Sequence, residues 1–444
     1  MTGGPSTKRE AGSRLFPDKP IGTANSEMPF DHVIVVMMEN HSFDNLLGAL
    51  PLTRADIVGL TFDDAGVTTN SNPDVSDPPS EVAAFALPNT KQAKHVTQSW
   101  AATHEQINGG AMDGFVRSVS GAHEPMGYYT PEVLPFAYSL ANTFTVANSW
   151  FCSVPGPTYP NRRFLLAGTA WGLTVTNIEQ SVLHSSPPNG TIFDLLSHHH
   201  IDWRDYFTDV PSSLVIPSAF VKHLRHHHTL EKFFHDCEAG SLPAVSFVDP
   251  GQGVLRSIAT SVSSQSSIVR ESLDIIGVNV AALPQSDTQE DPDDMYYGEA
   301  WAHKIVEAVL RSPNWERTVL IYTYDEHGGY YDHVAPPAAI PPDDIPPDLP
   351  VGQTGSYDMY GPRVPAVVVS PYAKRGGVSD LTYDHTSILA TIEHKWNLPA
   401  LTRRDANALT IMDFLDPATA ALLDPPAITA PPQTGPSGPV THAG

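Results

Sequence analysis

The sequence predicts an α/β protein with a central, mostly parallel sheet and helices on both faces. The first observation is a set of short, β-branched apolar runs typical of buried strands: HVIVVMM (32–38), PAVSFV (243–248), TVLIYTY (318–324) and VPAVVVS (364–370). The second is a set of helical patterns that alternate with them: NRRFLLAGT, GEAWAHKIVEAVLRS and HTSILATIEHKW. Because parallel strands need long crossover connections, usually helices, this alternation favours a sheet covered on both faces.

We expect one large domain between two tails. Residues 1–29 are rich in Gly, Pro, Ser and charged residues, and residues 417–444 are rich in Pro, Gly and Thr without periodicity, so both are expected to be flexible. Residues 30–416 contain no internal repeat and no linker with a clear shift of composition. Within them, the proline-rich stretch APPAAIPPDDIPPDLP (335–350) is expected to be a surface loop.

The composition is that of a globular protein, with 41% apolar and 17% charged residues in a chain of 444. The formal net charge of −24 argues against a nucleic-acid partner, because phosphate backbones bind clustered Lys and Arg. The same acidity disfavours adsorption to anionic membranes. No run approaches the roughly 20 apolar residues of a transmembrane helix. The sequence does not predict the oligomeric state.

The compartment stays open on sequence grounds. The first residues, MTGGPSTKREAGSRLF, lack the apolar core of a secretory signal. The protein is therefore expected to be cytoplasmic if this N-terminus is native, and periplasmic or secreted if a leader has been removed. Its two cysteines, Cys152 and Cys237, form no disulfide framework, and one such pair is equally compatible with two reduced thiols.

Acidic pairs follow two of the predicted strands. Glu39 and Asn40 come directly after the first strand, and Asp325 and Glu326 come directly after TVLIYTY. Ligands of α/β sheets bind outside the carboxyl ends of the strands, so two acidic pairs in this position favour a metal site. Oxygen ligands suit Mg, Ca or Mn, and nearby imidazoles also admit Zn or Fe. The alternative is that these residues are exposed loop acids or helix caps.

A third element is FCSVPGPTYPNRRF (151–164). Pro160 fits the first turn of a helix, which puts Thr158 near the helix N-cap. Backbone N–H groups at such a terminus can hold phosphate oxygens, and with a divalent cation the Thr158 hydroxyl could attack phosphorus. Taken alone, however, Thr158 is better explained as an ordinary capping residue, and only the acidic pairs elsewhere favour the nucleophile.

Six segments together resemble one enzyme family. They are MMENHSFDNLLG, HEQINGGAMDGF, CSVPGPTYPNR, TYDEHGGYYDHV, YGPRVPAVVVSPYA and YDHTSILATIEHKW. In this order they are similar to the bacterial phosphoesterase family of phosphatidylcholine-hydrolysing phospholipases C and AcpA-type acid phosphatases, within the alkaline-phosphatase-like superfamily. The resemblance implies an alkaline-phosphatase-like fold, hydrolysis of a phosphoester and a divalent metal ion, with Ca, Mn, Mg, Zn and Fe all open.

The resemblance also implies roles for single residues. It makes Thr158 the nucleophile and His104 a phosphate-binding or proton-donating group. It makes Asn161, Arg162 and His385 candidates for substrate binding. His385 is equally consistent with helix capping, and a lone loop histidine such as His104 is more often solvated. The metal site would be formed by Glu39, Asn40, Asp325 and Glu326.

One element departs from the family. Many members carry Asp-His-Pro-Pro shortly before the glycine that opens the GEAW-like helix, and its histidine belongs to their active site. Here the corresponding residues 287–294 are DTQEDPDD, without histidine. Either Glu290 or Asp291 replaces it as a carboxylate ligand, which would favour a harder cation, or the ligand is missing.

Two alternative functions and the choice of substrate stay open. The chain could be a phosphoester- or metal-binding protein without turnover, or a hydrolase of sulfate esters or phosphonates. Phospholipid, sphingomyelin, soluble diesters and monoesters all present the same reacting group. We expect the loops that choose among them to be residues 51–95, 175–235 and 335–358.

Two further patterns are expected to be structural rather than functional. The histidine-rich stretches HHH (198–200) and HLRHHH (223–228) are predicted to be solvated or mobile, because no strand end with other ligands borders them. Trp301, Trp315 and Trp396 have spacings that predict core positions on helix faces rather than a choline cage.

Overall fold

The computed structural model describes residues 8–76, 79–92, 96–251 and 287–432. Its strands are β1 (His32–Met38), β2 (Ser71–Asp74), β3 (Ser80–Ala83), β4 (Phe85–Ala86), β5 (Gly127–Tyr128), β6 (Thr145–Ala147), β7 (Trp203–Phe207), β8 (His227–Thr229), β9 (Val245–Asp249), β10 (Thr318–Tyr324), β11 (Ala366–Val369) and β12 (Val378–Ser379). Its α-helices are α1 (Phe43–Leu47), α2 (Trp100–Ile107), α3 (Phe115–Ser118), α4 (Pro135–Thr143), α5 (Thr158–Ala167), α6 (Ile178–Leu183), α7 (Ile192–His198), α8 (Pro217–Lys222), α9 (Leu230–Ala239), α10 (Met295–Arg311), α11 (Thr386–Lys395) and α12 (Arg403–Asn407). Short 3-10 helices include Ser212–Val215 and Trp315–Arg317.

Eight strands form one sheet in the order β12-β6-β11-β10-β1-β9-β7-β8. β1 pairs in parallel with β10 on one side and with β9 on the other, and β9, β7 and β8 continue in parallel. β12 is also parallel to its neighbour β6. The predicted α/β class, with a large, mostly parallel sheet flanked by helices, is therefore confirmed.

The direction of one predicted strand was wrong. We expected VPAVVVS (364–370) to form a parallel strand, but β11 is antiparallel to both of its neighbours, β10 and β6. The connection from β10 to β11 contains no helix to carry the chain back to the opposite edge of the sheet. An apolar run indicates burial on both faces but does not encode direction.

β1 and β10 form the centre of the sheet. Every residue of β10 is buried, as is all of β1 after its first residue. Their register runs from His32 opposite Thr318 to Met38 opposite Tyr324, so the residues that follow both strands leave the sheet at the same level. Three tryptophans close the core around this centre, as predicted: Trp301, Trp315 and Trp396 are all buried.

The three predicted helical patterns form α5, α10 and α11. α5 starts at Thr158 and has Pro160 at its third position, where a missing N–H breaks no helical hydrogen bond. Ser42 caps α1 after β1: its Oγ accepts a hydrogen bond from the backbone N–H of Asn45 at 3.1 Å. None of the helices described has the length and apolarity needed to cross a bilayer.

The segments expected to be tails contact the domain where the structure describes them. In the first, Gly12 N–H donates to the carbonyl of Ala400 at 2.7 Å. In the second, the carbonyl of Leu422 accepts from the indole N–H of Trp315 at 3.0 Å. These parts therefore pack on the body of the protein, and the rest of both tails lies outside the described residues.

The expectation that the stretch 223–228 is solvated was wrong. His226 stacks on Trp203 with ring centroids 4.2 Å apart, and His227 lies in β8 with its Nδ1 3.3 Å from Asp205. Because β8 pairs with β7 at the edge of the sheet, the chain carries these imidazoles against the protein. Of the other stretch, residues 198–200, the first and last are exposed.

Candidate active site

The ends of β1 and β10 bring the two acidic pairs together. Since Met38 and Tyr324 are register partners in parallel strands, Glu39 and Asp325 follow at the same level of the sheet. Asn40 turns the chain away with a φ of 69°, a left-handed conformation that Asn adopts more readily than most residues. Its N–H donates to Oδ1 of Asp325 at 3.2 Å.

Two glycines make the turn after β10 possible. Gly328 and Gly329 have φ values of 70° and 87°. A Cβ atom on Gly328 would lie 2.0 Å from the carbonyl oxygen of Asn40. The N–H of Gly328 donates to Oε2 of Glu326 at 2.6 Å and so fixes this carboxylate beside the turn. Close approach of the two loops therefore requires glycine here.

Arg162 lies at the centre of the acidic cluster and is fully buried. Its Nε donates to Oδ2 of Asp325 at 3.0 Å, and its terminal nitrogens lie 3.2 Å from Asp249 and 3.5 Å from Glu39. The guanidinium thus bridges the carboxyl ends of three adjacent strands, β9, β1 and β10. This geometry favours compensation of buried charge over direct contact with a substrate.

The cluster holds more acidic groups than Arg162 neutralises. Burial raises the pKa of Glu39 and Glu326 well above the ordinary range, and repulsion from neighbouring carboxylates adds to the effect. Burial also raises the pKa of Asp325, against the opposing effect of Arg162. Buried carboxylates in this number require protons or a cation to balance them.

The residues present fit a divalent cation. Oε1 of Glu326, Nδ2 of Asn40 and Nδ1 of His385 are buried and have no hydrogen-bond partner among the described residues. Carboxylate and amide oxygens are ligands that hard divalent cations prefer, and a nearby imidazole also admits transition metals. Glu326 and His385, whose unpaired atoms can act as ligands, both interact electrostatically with Asp325, and Asn40 would bind a cation through its amide oxygen.

Thr158 reaches the same place from the first residue of α5. Its Oγ1 lies 3.5 Å from Oδ1 of Asn40, and the residue is 6% exposed. It does not cap the helix, because the N-cap position is Pro157 and no side chain caps there. The hydroxyl is therefore available for other chemistry, next to backbone N–H groups at the positive end of the helix dipole.

Asn161 holds the loop that precedes Thr158. Its Oδ1 accepts from the N–H of Val154 at 3.1 Å, and its Nδ2 donates to the carbonyls of Gly156 at 2.8 Å and Pro157 at 3.2 Å. The side chain is fully buried. All of its polar atoms are engaged with this loop, which favours a role in positioning Thr158 over contact with a substrate.

The two candidate histidines lie in different settings. His104 is half-buried on α2, with Nδ1 2.7 Å from the carbonyl of Trp100, and burial lowers its pKa. No hydrogen bond joins it to Thr158; its link to the site is Trp100, whose ring lies against Gly156. His385 is fully buried, and its Nε2 lies 2.6 Å from the carbonyl oxygen of Asp325. Its side chain makes no helix-capping bond.

The DTQEDPDD element reaches the site through Glu290. Oγ1 of Thr288 donates to Oε2 of Glu39 at 2.8 Å and accepts from the N–H of Glu290 at 3.0 Å. Burial raises the pKa of Glu290, and repulsion from Asp325 and Asp291 raises it further. Glu290 therefore interacts electrostatically with the cluster.

A second cluster of acidic side chains lies on the segments that follow these two turns. Ligand atoms of Asp44, Asp332 and His333 lie within 4.8 Å of one another. The guanidinium of Arg363 contacts both carboxylates, at 3.1 Å from Asp44 and 2.8 Å from Asp332. Nδ1 of His333 lies 2.6 Å from the Asp44 carboxylate. Because Arg363 already supplies the positive charge, we interpret this group as an ion-pair cluster that ties the turn after β1 to the turn after β10.

Sequence reasoning missed Asp249, Thr288 and this ion-pair cluster. Asp249 is the last residue of β9, so the rule that selected Glu39 and Asp325 would also have selected it. Thr288 and Arg363 carried no such signal, because their partners are distant in the chain. Thr288 lies 249 residues from Glu39, and Arg363 lies 31 residues from Asp332.

Comparison with known proteins shows that the chain is a phosphoric ester hydrolase. It belongs to the phosphoesterase family, whose model matches residues 30–399. Its curated relatives include non-specific phospholipase C6 of Arabidopsis thaliana, 31% identical over 91% of this chain and 76% of that protein, and non-specific phospholipase C1 of the same plant, 32% identical over 87% and 71%. Phospholipase C B of Mycobacterium tuberculosis is 26% identical over 83% and 74%. The resemblance seen in the sequence is confirmed.

Solved structures give a weaker likeness. A protein in the alkaline phosphatase superfamily from Vibrio parahaemolyticus is 14% identical with a TM-score of 0.35, covering 83% of this chain and 80% of its own. The lipoteichoic acid synthase LtaP from Listeria monocytogenes is 11% identical with a TM-score of 0.39, covering 89% and 78%. At these scores the fold rests on the sheet order and registers described above.

Proposed function

We propose that the protein is a metal-dependent phosphoester hydrolase of the phospholipase C or acid phosphatase type, with Thr158 as its nucleophile. The proposed metal site consists of Glu39, Asn40, Asp325 and Glu326, with Glu290 in place of the family histidine. Asp291 is proposed as an outer neighbour that acts through Glu290.

The position of the Thr158 hydroxyl carries this proposal. It stands between the N-terminal N–H groups of α5 and the acidic cluster, 3.5 Å from the Asn40 side chain. Helix N-termini bind phosphate oxygens, and a nucleophile needs its target phosphorus within a few ångströms. A phosphoryl group bound at this helix end would therefore lie against the Thr158 oxygen.

In the proposed reaction the Thr158 hydroxyl gives its proton to a carboxylate of the acidic cluster, and its oxygen attacks phosphorus in line while the bond to the leaving alcohol breaks. His104, or another histidine of the site, gives a proton to the leaving oxygen. Water then cleaves the phospho-threonine bond, which releases phosphate or phosphocholine and restores the hydroxyl. Asn161 keeps the loop before Thr158 in place throughout, and Arg162 holds the carboxylates in position by bridging them.

A divalent cation, when bound, would supply positive charge that favours the ionised hydroxyl and offsets charge on the phosphoryl oxygens. Of the three residues expected to bind substrate, Asn161 and Arg162 are engaged inside the protein and are proposed to position the site. His385 has a ring nitrogen without a hydrogen-bond partner among the described residues and is proposed to face the bound groups.

A phospholipid is the proposed substrate, because the curated relatives that match the chain over most of its length are named phospholipases C. A soluble phosphoester is the competing substrate. Hydrolysis of p-nitrophenyl phosphocholine and p-nitrophenyl phosphate, compared side by side, separates the phospholipase C type from the phosphatase type. Each assay is run as purified, after chelation, and with Mn, Ca, Mg, Zn or Fe restored separately.

Thr158→Ala tests the nucleophile and should abolish turnover while metal content and fold stay intact. Thr158→Ser keeps the attacking oxygen and should retain activity. Substantial turnover by Thr158→Ala would eliminate the assignment. A protein that retains phosphocholine without consuming either ester under any metal would be a binding protein on this fold.

The replacement of the family histidine needs its own variant. Glu290→Ala combined with Asp291→Ala should lower both metal content and turnover, because it removes the carboxylate that interacts with Asp325. Unchanged metal content and activity would mean that neither acid takes the place of the histidine.

A further inference from the structure

Six exposed apolar side chains lie on three segments that hydrogen bonds hold to one another. They form what we call the apolar rim: Val175, Val182, Leu183, Val221, Ile345 and Val351. Val351 is fully exposed, and Leu183 is 75% exposed. Single exposed apolar residues are ordinary, but a group of them on neighbouring segments indicates a surface that contacts a partner.

Hydrogen bonds hold the three segments side by side. The N–H of Asp348 donates to the carbonyl of Gly172 at 2.8 Å, and the hydroxyl of Thr174 donates to the carbonyl of Asp348 at 3.2 Å. The hydroxyl of Ser218, one helical turn before Val221, donates to the carbonyl of Ser185. The segment that carries Val182 and Leu183 is therefore tied on one side to the proline-rich loop and on the other to α8.

The rim is continuous with the nucleophile helix. Oγ1 of Thr176 accepts from the N–H of Tyr159, the residue after Thr158, at 3.2 Å. A terminal nitrogen of Arg163, also on α5, donates to the carbonyl of Ser181 at 3.1 Å. The segment that carries Val175, Val182 and Leu183 therefore packs along α5, from Tyr159 beside the reactive hydroxyl to Arg163.

Several charged side chains of the rim segments are paired within the protein, and the exposed Glu179 adds negative charge. Asp344 contacts Arg403 at 2.6 Å, and Asp348 lies 3.5 Å from His184. Lys222, at the end of α8, contacts Asp194 at 2.6 Å. These segments, in a chain with a net charge of −24, have little to attract an anionic partner. A surface that has an apolar interior and carries no net charge matches the rim segments better.

We propose that the apolar rim docks the enzyme on a zwitterionic phospholipid surface, with Leu183 and Val351 inserted at the boundary between head groups and acyl chains. This inference rests on the proposed function. The ester that a phospholipase C cleaves lies at that boundary, so the mouth of its site must meet the lipid surface. The rim segment that carries Val175 and Leu183 contacts Tyr159, the residue after Thr158, and so lies beside the proposed nucleophile.

The test measures binding to phosphatidylcholine vesicles by co-sedimentation and turnover of soluble p-nitrophenyl phosphocholine. Leu183→Ser should weaken vesicle binding by about tenfold, since a leucine that enters the lipid loses the free energy of about one apolar side chain. Adding Val351→Ser should weaken binding further. Turnover of the soluble ester should stay within about twofold, because neither residue belongs to the reacting centre.

Leu423→Ser is the matched control. Leu423 is 47% exposed, and its carbonyl accepts a hydrogen bond from Trp315. Trp315 lies just before the amino-terminal end of β10, whereas Asp325 follows its carboxyl end. It should leave vesicle binding unchanged. Equal losses from Leu183→Ser and Leu423→Ser would overturn the proposal, as would tighter binding to phosphatidylglycerol than to phosphatidylcholine.

Two outcomes separate this inference from the proposed function. Rim-dependent vesicle binding without hydrolysis of any ester would remove the function and leave the docking surface. Hydrolysis of the soluble ester with vesicle binding that ignores the rim variants would remove the docking surface and leave the function. Light scattering on the same variants completes the test, since loss of a dimer in place of vesicle binding would make the rim a contact between two copies of the chain.

Discussion

At the residue scale, two buried polar side chains of the candidate site make their hydrogen bonds to other parts of the protein. Asn161 serves the loop before Thr158, and Arg162 serves the carboxylates at the ends of three strands. A buried polar group that loses its partner costs about 1 to 3 kcal/mol, and a buried unpaired charge costs more. Small chemical changes at these residues should therefore have large effects.

Asn161→Asp tests this at the loop before the nucleophile. The change replaces an amide that donates to several carbonyls with a carboxylate that faces them, so the free energy of unfolding should fall by about 3 kcal/mol and kcat by more than tenfold. Urea denaturation and p-nitrophenyl phosphocholine kinetics measure the two effects. Asn89→Asp is the control: among the described residues its side chain makes one hydrogen bond, in which Oδ1 accepts from Lys91 N–H, and a carboxylate keeps that bond. Equal effects of both variants would contradict the positioning role.

At the scale of elements, the site is made by turns that leave β1 and β10 and then touch. The ion-pair cluster around Arg363 ties these turns together, and Gly328 allows them to approach. Helices are held to one another by similar polar contacts. Glu299 on α10 accepts the N–H groups of Phe136 and Ala137 at the start of α4, both at 3.2 Å.

Gly328→Ala should disrupt the contact between the two turns. The new Cβ would lie 2.0 Å from the Asn40 carbonyl, so we expect a loss of about 4 kcal/mol in unfolding free energy together with loss of bound metal. Gly352→Ala is the matched control, because Gly352 has a φ of 92° but nothing within 4 Å of a Cβ. It should cost only about 1 kcal/mol of backbone strain. Similar losses in thermal unfolding of the two variants would sink this explanation.

Glu299 should make stability depend on pH. Burial raises its pKa to about 8 in the folded protein, above the ordinary value of 4.5. Its contribution to stability is therefore full below pH 4.5 and is lost as pH rises through about 8, because the folded state holds a proton that the unfolded chain releases.

Glu299→Gln removes this titration. The Tm of the variant relative to the parent should increase from about pH 5 to about pH 8. Glu316→Gln, a change at an exposed glutamate, should leave the Tm difference flat. A flat difference for Glu299→Gln as well would show that the buried carboxyl does not retain its proton.

At the scale of the whole molecule, an acidic chain keeps several carboxyl groups buried in one place. Five acids, Glu39, Asp249, Glu290, Asp325 and Glu326, surround a single arginine, and no second cationic side chain is found at this cluster among the described residues. A bound cation would therefore contribute to folding stability as well as to catalysis.

Chelation should lower the Tm, and adding back the right metal should raise it. A metal at about 100 times its Kd stabilises the folded state by about 2.7 kcal/mol. Glu326→Gln, which removes a proposed ligand, should lose most of this response. Glu393→Gln should keep it, because Glu393 is an equally buried acid that interacts with Asp405 on a different part of the protein. A chelator that leaves the Tm unchanged would argue against a structural cation.

The sequence by itself determined the α/β class, the central strands, the helix that starts at Thr158 and the acidic pairs after β1 and β10. Each is a local property, because the burial of a strand, the cap of a helix and the residue after a strand end are written in neighbouring positions. Tertiary structure alone decided the antiparallel direction of β11, the inward packing of His226 and His227, the commitment of Asn161 and Arg162 to the protein, and the pairing of Arg363 with Asp44 and Asp332. These depend on which distant segments meet, and hydrogen bonds and ion pairs between distant residues leave no periodic signal in the chain.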